Sequence, residues 1–243
     1  MSAYTEAVIR WQSRQLRSPK DLDQLLQGFN PLFAVNAILL EGESISLPVA
    51  EEYYRTGAVS QFTGNPKALV RLYNHKLCYE YLRERILARD DLDTSLVLEV
   101  HRILNSGTYN EPFYLASGER PGQLKKRDFV TASTGVGASA QDVGRELDRL
   151  MEEISGYCGG ELLSAAAYFH CRFENIHPFA SGNGAMGRVL MNYFLLIRDH
   201  PPLIVFAQDQ EEYLQCLTRY DRDRDAQPLA EFLKRELVKT WEA

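Results

Sequence analysis

The chain of 243 residues has four cysteines, Cys78, Cys158, Cys171 and Cys216, set far apart and without a CxxC pair. That excludes a disulfide scaffold and a thiolate zinc site, and the four are expected to be reduced thiols. His170 and Cys171 are neighbours, but adjacent residues of a helix point in different directions and chelate poorly. No apolar run approaches the ~20 residues that span a bilayer. The longest patches, Ala34–Leu40 and Tyr193–Ile197, have the length of core helices. The opening MSAYTEAVIR has neither the basic start nor the apolar stretch of a signal peptide, so a cytoplasmic location is expected, with no membrane partner. Positive charge is in deficit, 27 Lys and Arg against 33 Asp and Glu, net −6, so no basic field draws the chain to nucleic acid. Neither a Walker loop nor a GxGxxG run occurs.

What is there reads as helix. Hydrophobic residues make up 45% and charged residues 25%, ordinary globular usage. Ala7, Val8, Trp11 and Leu16 recur at helical spacing across 3–17. Ser18-Pro19 opens a short helix to Gly28, with a capping hydroxyl and proline at its first position. Asn30–Leu40 is apolar nearly all round and is expected to be buried. Further helices are expected over 48–56, 66–88, 96–105, 140–155, 161–176, 185–197, 210–220 and 228–238. Asn105–Gly137 breaks the pattern with five glycines and two prolines, and within it Gly122–Thr134 reads as a small hairpin or flap. Asp221–Asp225 alternates in sign and reads as a solvated helix end.

One segment interrupts two strongly helical stretches: His177-Pro178-Phe179-Ala180-Ser181-Gly182-Asn183-Gly184. Glycines at a helix N-terminus let backbone N–H groups approach a ligand, and the unpaired donors there favour an anion such as phosphate. Arg188 follows Gly184 by about one turn and can face the same place. His177 enters from the other end, where an imidazole could take the proton of a hydroxyl attacking phosphorus. The plain alternative is a tight corner between two helices with a surface histidine, and composition alone leaves both open.

HPFASGNGAMGR resembles the signature of Fic-domain proteins, HPFx(D/E)GNGRxxR. The helix LLSAAAYFHCRFENI before it, the flap-like RPGQLKKRDFVTASTG, and PPLIVFAQDQEEYLQCL with QPLAEFL after it extend the likeness over about 94–242. In AILLEG, Glu41-Gly42 resembles the end of the inhibitory helix that many Fic proteins carry, Ser/Thr-x-x-x-Glu-Gly/Asn. The resemblance implies an all-α Fic-type helical bundle with a small β-hairpin flap beside the active-site loop. It divides the chain into an N-terminal helical region, 1–93, holding the inhibitory helix at 30–42, and a Fic core, 94–243.

By the same resemblance the chain is a protein adenylyltransferase that moves AMP from ATP to a hydroxyl of a target protein. His177 is the general base, and Phe179 anchors the loop. Gly182, Asn183 and Gly184 form the anion hole, with Asn183 also on the α-phosphate, and Arg188 holds the terminal phosphate; Tyr213 stands where a nucleobase is often contacted, or is a core aromatic at helical spacing. The flap, with Gly122, Leu124, Lys125 and Val130, pairs with the target by strand addition. Glu41 inhibits by taking Arg188 from the nucleotide. ATP is the co-substrate, with Mg²⁺ or Mn²⁺ expected, and the family's habit of pairing leaves room for a homodimer.

Three positions depart from the pattern. Ser181 stands where a carboxylate normally binds the metal, Ala185 where the first arginine stands, and Ala37 where the inhibitory motif has its hydroxyl. A neutral hydroxyl is a weak Mg²⁺ ligand. Each of the first two losses is worth on the order of 2–4 kcal/mol of transition-state stabilisation, so activity is expected to be weak. The alternatives are a Fic-fold protein with another phosphate donor, and a nucleotide- or target-binding module without turnover.

Overall fold

The computed structural model describes residues 2–14, 16–128, 130–131, 135–157 and 159–242. Helices carry the fold. In chain order they are α1 (Ala3–Gln12), α2 (Pro19–Leu26), α3 (Phe29–Leu40), α4 (Leu47–Thr56), α5 (Pro66–Ala88), α6 (Thr94–Leu104), α7 (Glu111–Ser117), α8 (Val143–Ser155), α9 (Leu162–Ile176), α10 (Asn183–Leu196), α11 (Gln210–Asp223) and α12 (Gln227–Glu242). The starts follow local chemistry. The Ser18 hydroxyl accepts from the Asp21 N–H and Pro19 opens α2; the Asn65 side chain accepts from the Lys67 N–H and Pro66 opens α5. At α6 the cap is Asp93, accepting from the Leu96 N–H at 2.7 Å. The Thr94 hydroxyl donates to Asp148 on α8.

The all-α class holds. The hairpin flap is not established: the extended pairing among the described residues is two residues a side, Val130–Thr131 against Gly135–Val136, antiparallel with Val130 opposite Val136. Residues 129 and 132–134 of the expected flap lie outside the described residues. The helix α7 was not anticipated, because Glu111–Ser117 sits among turn residues and lacks an apolar stripe.

The hairpin of α9 and α10 is the spine of the molecule. Phe169, Phe173, Met186, Leu190 and Phe194 of that pair are wholly buried, and α12, α8 and α11 pack on its flanks. The main core also takes in Trp11, Leu22, Leu26, Cys78, Leu82 and Ile86, so it runs across the expected division at 93/94. A second, smaller core of Ala34, Val35, Ile38, Ile45, Ala50, Ala68 and Leu72 binds α3 to α4 and α5. Cys78, Cys171 and Cys216 are buried and unpaired; Cys158 lies outside the described residues. Among the described residues no helix is long and apolar enough to cross a membrane.

Candidate active site

The chain reverses between α9 and α10 in six residues. His177 ends α9 in the left-handed region, φ 53°, with its N–H on the Phe173 carbonyl. Such a conformation is uncommon in a residue other than glycine, and here Arg89 and Arg224 share it as helix C-caps. Gly182 begins α10, also left-handed at φ 82°, and a Cβ there would lie 2.2 Å from the Asn105 side chain. Only glycine fits. No side chain caps α10, which leaves the N–H groups of its first turn at a place where an anion is favoured. His177 and that turn stand at the two ends of one short loop.

The loop is held from several sides. Phe179 is wholly buried against Phe173, as an anchor should be. The Asn183 side chain accepts from the Phe179 N–H at 2.9 Å and donates to its carbonyl at 2.8 Å. The oxygen and one N–H of that amide are engaged, so the side chain clamps the loop. The backbone N–H of Lys125 donates to the Pro178 carbonyl and that of Ala138 to the Ile176 carbonyl. Lys125, a residue assigned to the flap, is thereby tied to the loop, and its ammonium lies 3.5 Å from the Ile176 carbonyl. Leu124 packs half-buried against the core. Gly122 turns at φ 81° and donates its N–H to His101.

His101 is a supporting residue that sequence reasoning missed. Its Nδ1 accepts from the Gly122 N–H at 2.8 Å, so Nε2 carries the proton and donates to the Ser181 carbonyl at 3.0 Å. Its ring stacks on Phe179, centroids 3.6 Å apart. One buried imidazole thus joins the base of the expected flap to the loop. Burial pushes it down to about 4, so it stays neutral. Nothing in the spacing of a lone histidine on an amphipathic helix distinguishes this from ordinary core packing.

Burial, and then the Lys125 charge, lower His177 from 6.5 to about 4. It is therefore neutral near pH 7 and able to accept a proton. Arg188 points back to the α10 N-terminus, its side chain only 4% exposed. There it meets Glu41: guanidinium to carboxylate is 3.1 Å, across 147 positions of sequence. A Cβ on Gly184 would lie 3.3 Å from the same Glu41 oxygen, so this carboxylate stands against the first turn of α10. Glu41 is the C-cap of α3, and Gly42, left-handed at φ 79°, lets the chain leave while its N–H and that of Glu43 close on Leu39 and Ile38.

Behind Arg188 lies a second layer. Glu174, one helical turn before His177, has a buried carboxylate oxygen without a hydrogen-bond partner. Burial, outweighing the nearby Arg188, raises Glu174 to about 7. Tyr213 departs from its expected role. It is 3% exposed, its hydroxyl lies 2.5 Å from His170 Nε2 and its ring stacks on that imidazole, so it offers no face to a base. It supports Arg188 from the interior. Ser181 is exposed at the loop's outer side. Ala185 is 3% exposed, so an arginine there would have to displace packed neighbours. Among the described residues no three of His, Cys, Asp and Glu gather in a way that could hold a metal ion.

The geometry can be compared with known proteins. Residues 91–195 match the Fic/DOC family. This segment is a Fic/DOC domain. It holds His177, the glycine loop and Arg188, while Glu41 lies before it and Tyr213 after it. Over 163 residues, 65% of its length, the chain is 26% identical to Protein adenylyltransferase Fic of Drosophila persimilis, and it covers 29% of that protein. Over 78 residues, 32% of the chain, it is 36% identical to Protein adenylyltransferase Fic of Nematostella vectensis, covering 18% of it. The chain thus spans about three tenths or less of the length of these curated relatives. In fold it is similar to a Fic domain containing signaling protein from Bacteroides thetaiotaomicron, with TM-score 0.81, 22% identity, and coverage of 98% of this chain and 94% of that one. It is also similar to Fic-1 from C. elegans, with TM-score 0.78, 17% identity, and coverage of 98% and 68%. At those identities the likeness concerns the fold. Because the alignments cover nearly all of this chain, the helices before the Fic domain belong to the shared architecture.

Proposed function

We propose that this Fic protein is an adenylyltransferase that moves AMP from ATP to a hydroxyl side chain of a target protein, and that the described conformation is its inhibited state. The observation that carries the reading is the Glu41 carboxylate on the buried Arg188 guanidinium, against the first turn of α10. An anion from a separate helix fills the place in which a phosphate would be held. With Glu41 withdrawn, Arg188 and the α10 N–H groups are free for the nucleotide. The target hydroxyl oxygen attacks the α-phosphorus, the bond to the β-phosphate breaks, pyrophosphate leaves and the proton passes to His177. Extended pairing of the target with the segment around Gly122, Lys125 and Val130 aligns that hydroxyl; its attachment to the loop through His101 and Lys125 supports this.

A divalent cation does not fit the residues present. The hydroxyl of Ser181 replaces the carboxylate that would hold it, and Mg²⁺ favours carboxylate with phosphate. No step here runs through a protein-held metal, and slow transfer is expected. The test is incubation with ATP labelled at the α-phosphate, with Mg²⁺ or Mn²⁺ in the buffer. Glu41→Gly should label itself or added protein at least tenfold more than the unchanged chain, and Glu41→Gly with His177→Ala should not label. Absence of label in Glu41→Gly under either metal refutes transfer. If calorimetry then still shows ATP binding, the binding-module reading, favoured by Ser181 and Ala185, takes its place.

A further inference from the structure

The Glu41 carboxylate is shared by two cations. One oxygen meets Arg188 at 3.1 Å, and the other faces Arg71 at 3.9 Å. Arg71 lies on α5, outside the matched Fic/DOC segment, and no motif reading singled it out. Its side chain is 20% exposed, and its Nε is buried without a hydrogen-bond partner. A buried guanidinium N–H calls for an acceptor, and an oxygen of a bound anion would supply one. His75, one turn further along α5, is driven down to about 3 by burial and then by the charges of Arg188 and Arg71 together. Both guanidiniums therefore converge on one region, with Glu41 between them.

Such a site has a recognisable chemistry. Two guanidiniums gripping separate oxygens of one anion, beside a helix N-terminus, suit a phosphate better than a carboxylate, since phosphate has a further oxygen for the backbone donors. Glu41 here stands in for that phosphate. The site is also short of a cation: the position of the first motif arginine is Ala185, 3% exposed. Arg71 comes from another helix to the same anion. On its outer side a small cavity lined by Glu43, Lys67, Val70, Arg71, Gly107 and Thr108 leaves space beside the guanidinium, with the Glu43 side chain, which accepts from Asn65, at its wall.

We infer that Arg71 is a second nucleotide-binding cation, joining Arg188 on the terminal phosphate of ATP once Glu41 withdraws and making up for the arginine absent at Ala185. This deepens the adenylyltransferase reading and rests on it. It also gives Glu41 a fuller inhibitory role, since one carboxylate withholds both cations.

The test measures ATP and AMP binding by calorimetry in the Glu41→Gly chain, with and without Arg71→Gln, Arg71→Lys, or Lys20→Ala as an exposed control of equal charge loss. Thermal denaturation confirms that each variant is folded. Loss of one charge-assisted contact predicts about tenfold to hundredfold weaker ATP binding for Arg71→Gln. Arg71→Lys should fall between, and Lys20→Ala should match the parent within twofold. AMP, which lacks the terminal phosphate, should bind Arg71→Gln and the parent alike. ATP affinity of Arg71→Gln within fivefold of the parent overturns the inference, as does equal weakening for AMP; α-phosphate labelling by Glu41→Gly would leave the adenylyltransferase reading intact in either case. Failure of Glu41→Gly itself to bind ATP overturns both.

Discussion

Glu174 carries a stability signature that can be measured alone. Its carboxyl is held at about 7 against an ordinary 4.5, mainly by burial. The folded chain therefore keeps this proton more tightly than the unfolded chain. The associated stability is complete below about pH 4.5, declines as pH rises, and is gone above about pH 7. Urea denaturation across that interval should show a downward slope in stability that Glu174→Gln reduces; an unchanged slope would mean that Glu174 ionises normally. At this scale the sequence was informative where function is local. His177, Gly182, Gly184 and Arg188 lie within twelve positions, and the structure brings Glu41 to them. His101, Glu174 and Arg71 were not legible, because each is an ordinary helical residue whose importance arises only when distant helices meet. Asn183 and Tyr213 were named, but with hydrogen bonds that the fold uses internally.

Among the elements, α3 is unusual in being apolar nearly all round and ending on a charged residue that acts elsewhere. Its end depends on Gly42. The space around that Cα is open, with nothing within 4 Å of where a Cβ would sit, so alanine there is disfavoured only by φ 79°. Gly42→Ala should lower stability by ~1–2 kcal/mol. For a chain of this size that is a fall in Tm of about 2–8 °C, measurable by circular dichroism. Because the turn also aims Glu41, α-phosphate labelling should rise modestly; a variant as stable as the parent would remove the strain argument. Helix positions were legible from period and punctuation: Pro66–Ala88 and the interruption after Ile176 are where the pattern places them. The flap was less so. Glycine and β-branched residues signal a turn and some extension, but two-residue strands lie below what alternation can specify.

Over the whole molecule, the ends of the chain meet. Trp11 on α1 is 3% exposed and packs edge-on to Trp241 on α12, centroids 5.4 Å apart, while Phe29 at the start of α3 stacks on the same Trp241. The helices before the Fic/DOC segment are therefore joined to the last helix after it as well as to the candidate site. Trp11→Ala should cost ~3–5 kcal/mol and unfold in a single transition by both fluorescence and circular dichroism. Two separate transitions would show that the N-terminal helices fold independently. A division at 93/94 was readable only from the extent of the motif likeness, because shared cores leave no mark in composition when both parts have ordinary globular usage.

The 147 positions between Glu41 and Arg188 have a consequence in time. Synthesis runs from the N-terminus, and early segments can pack while later ones are still being made. The small core of α3, α4 and α5 is complete by Leu72 and draws on nothing downstream. Glu41 thus leaves the ribosome on a helix with part of its packing already available, long before the arginine that it meets. On the proposed inhibited reading, the gate would be in place before the site that it closes, and release would be a later event.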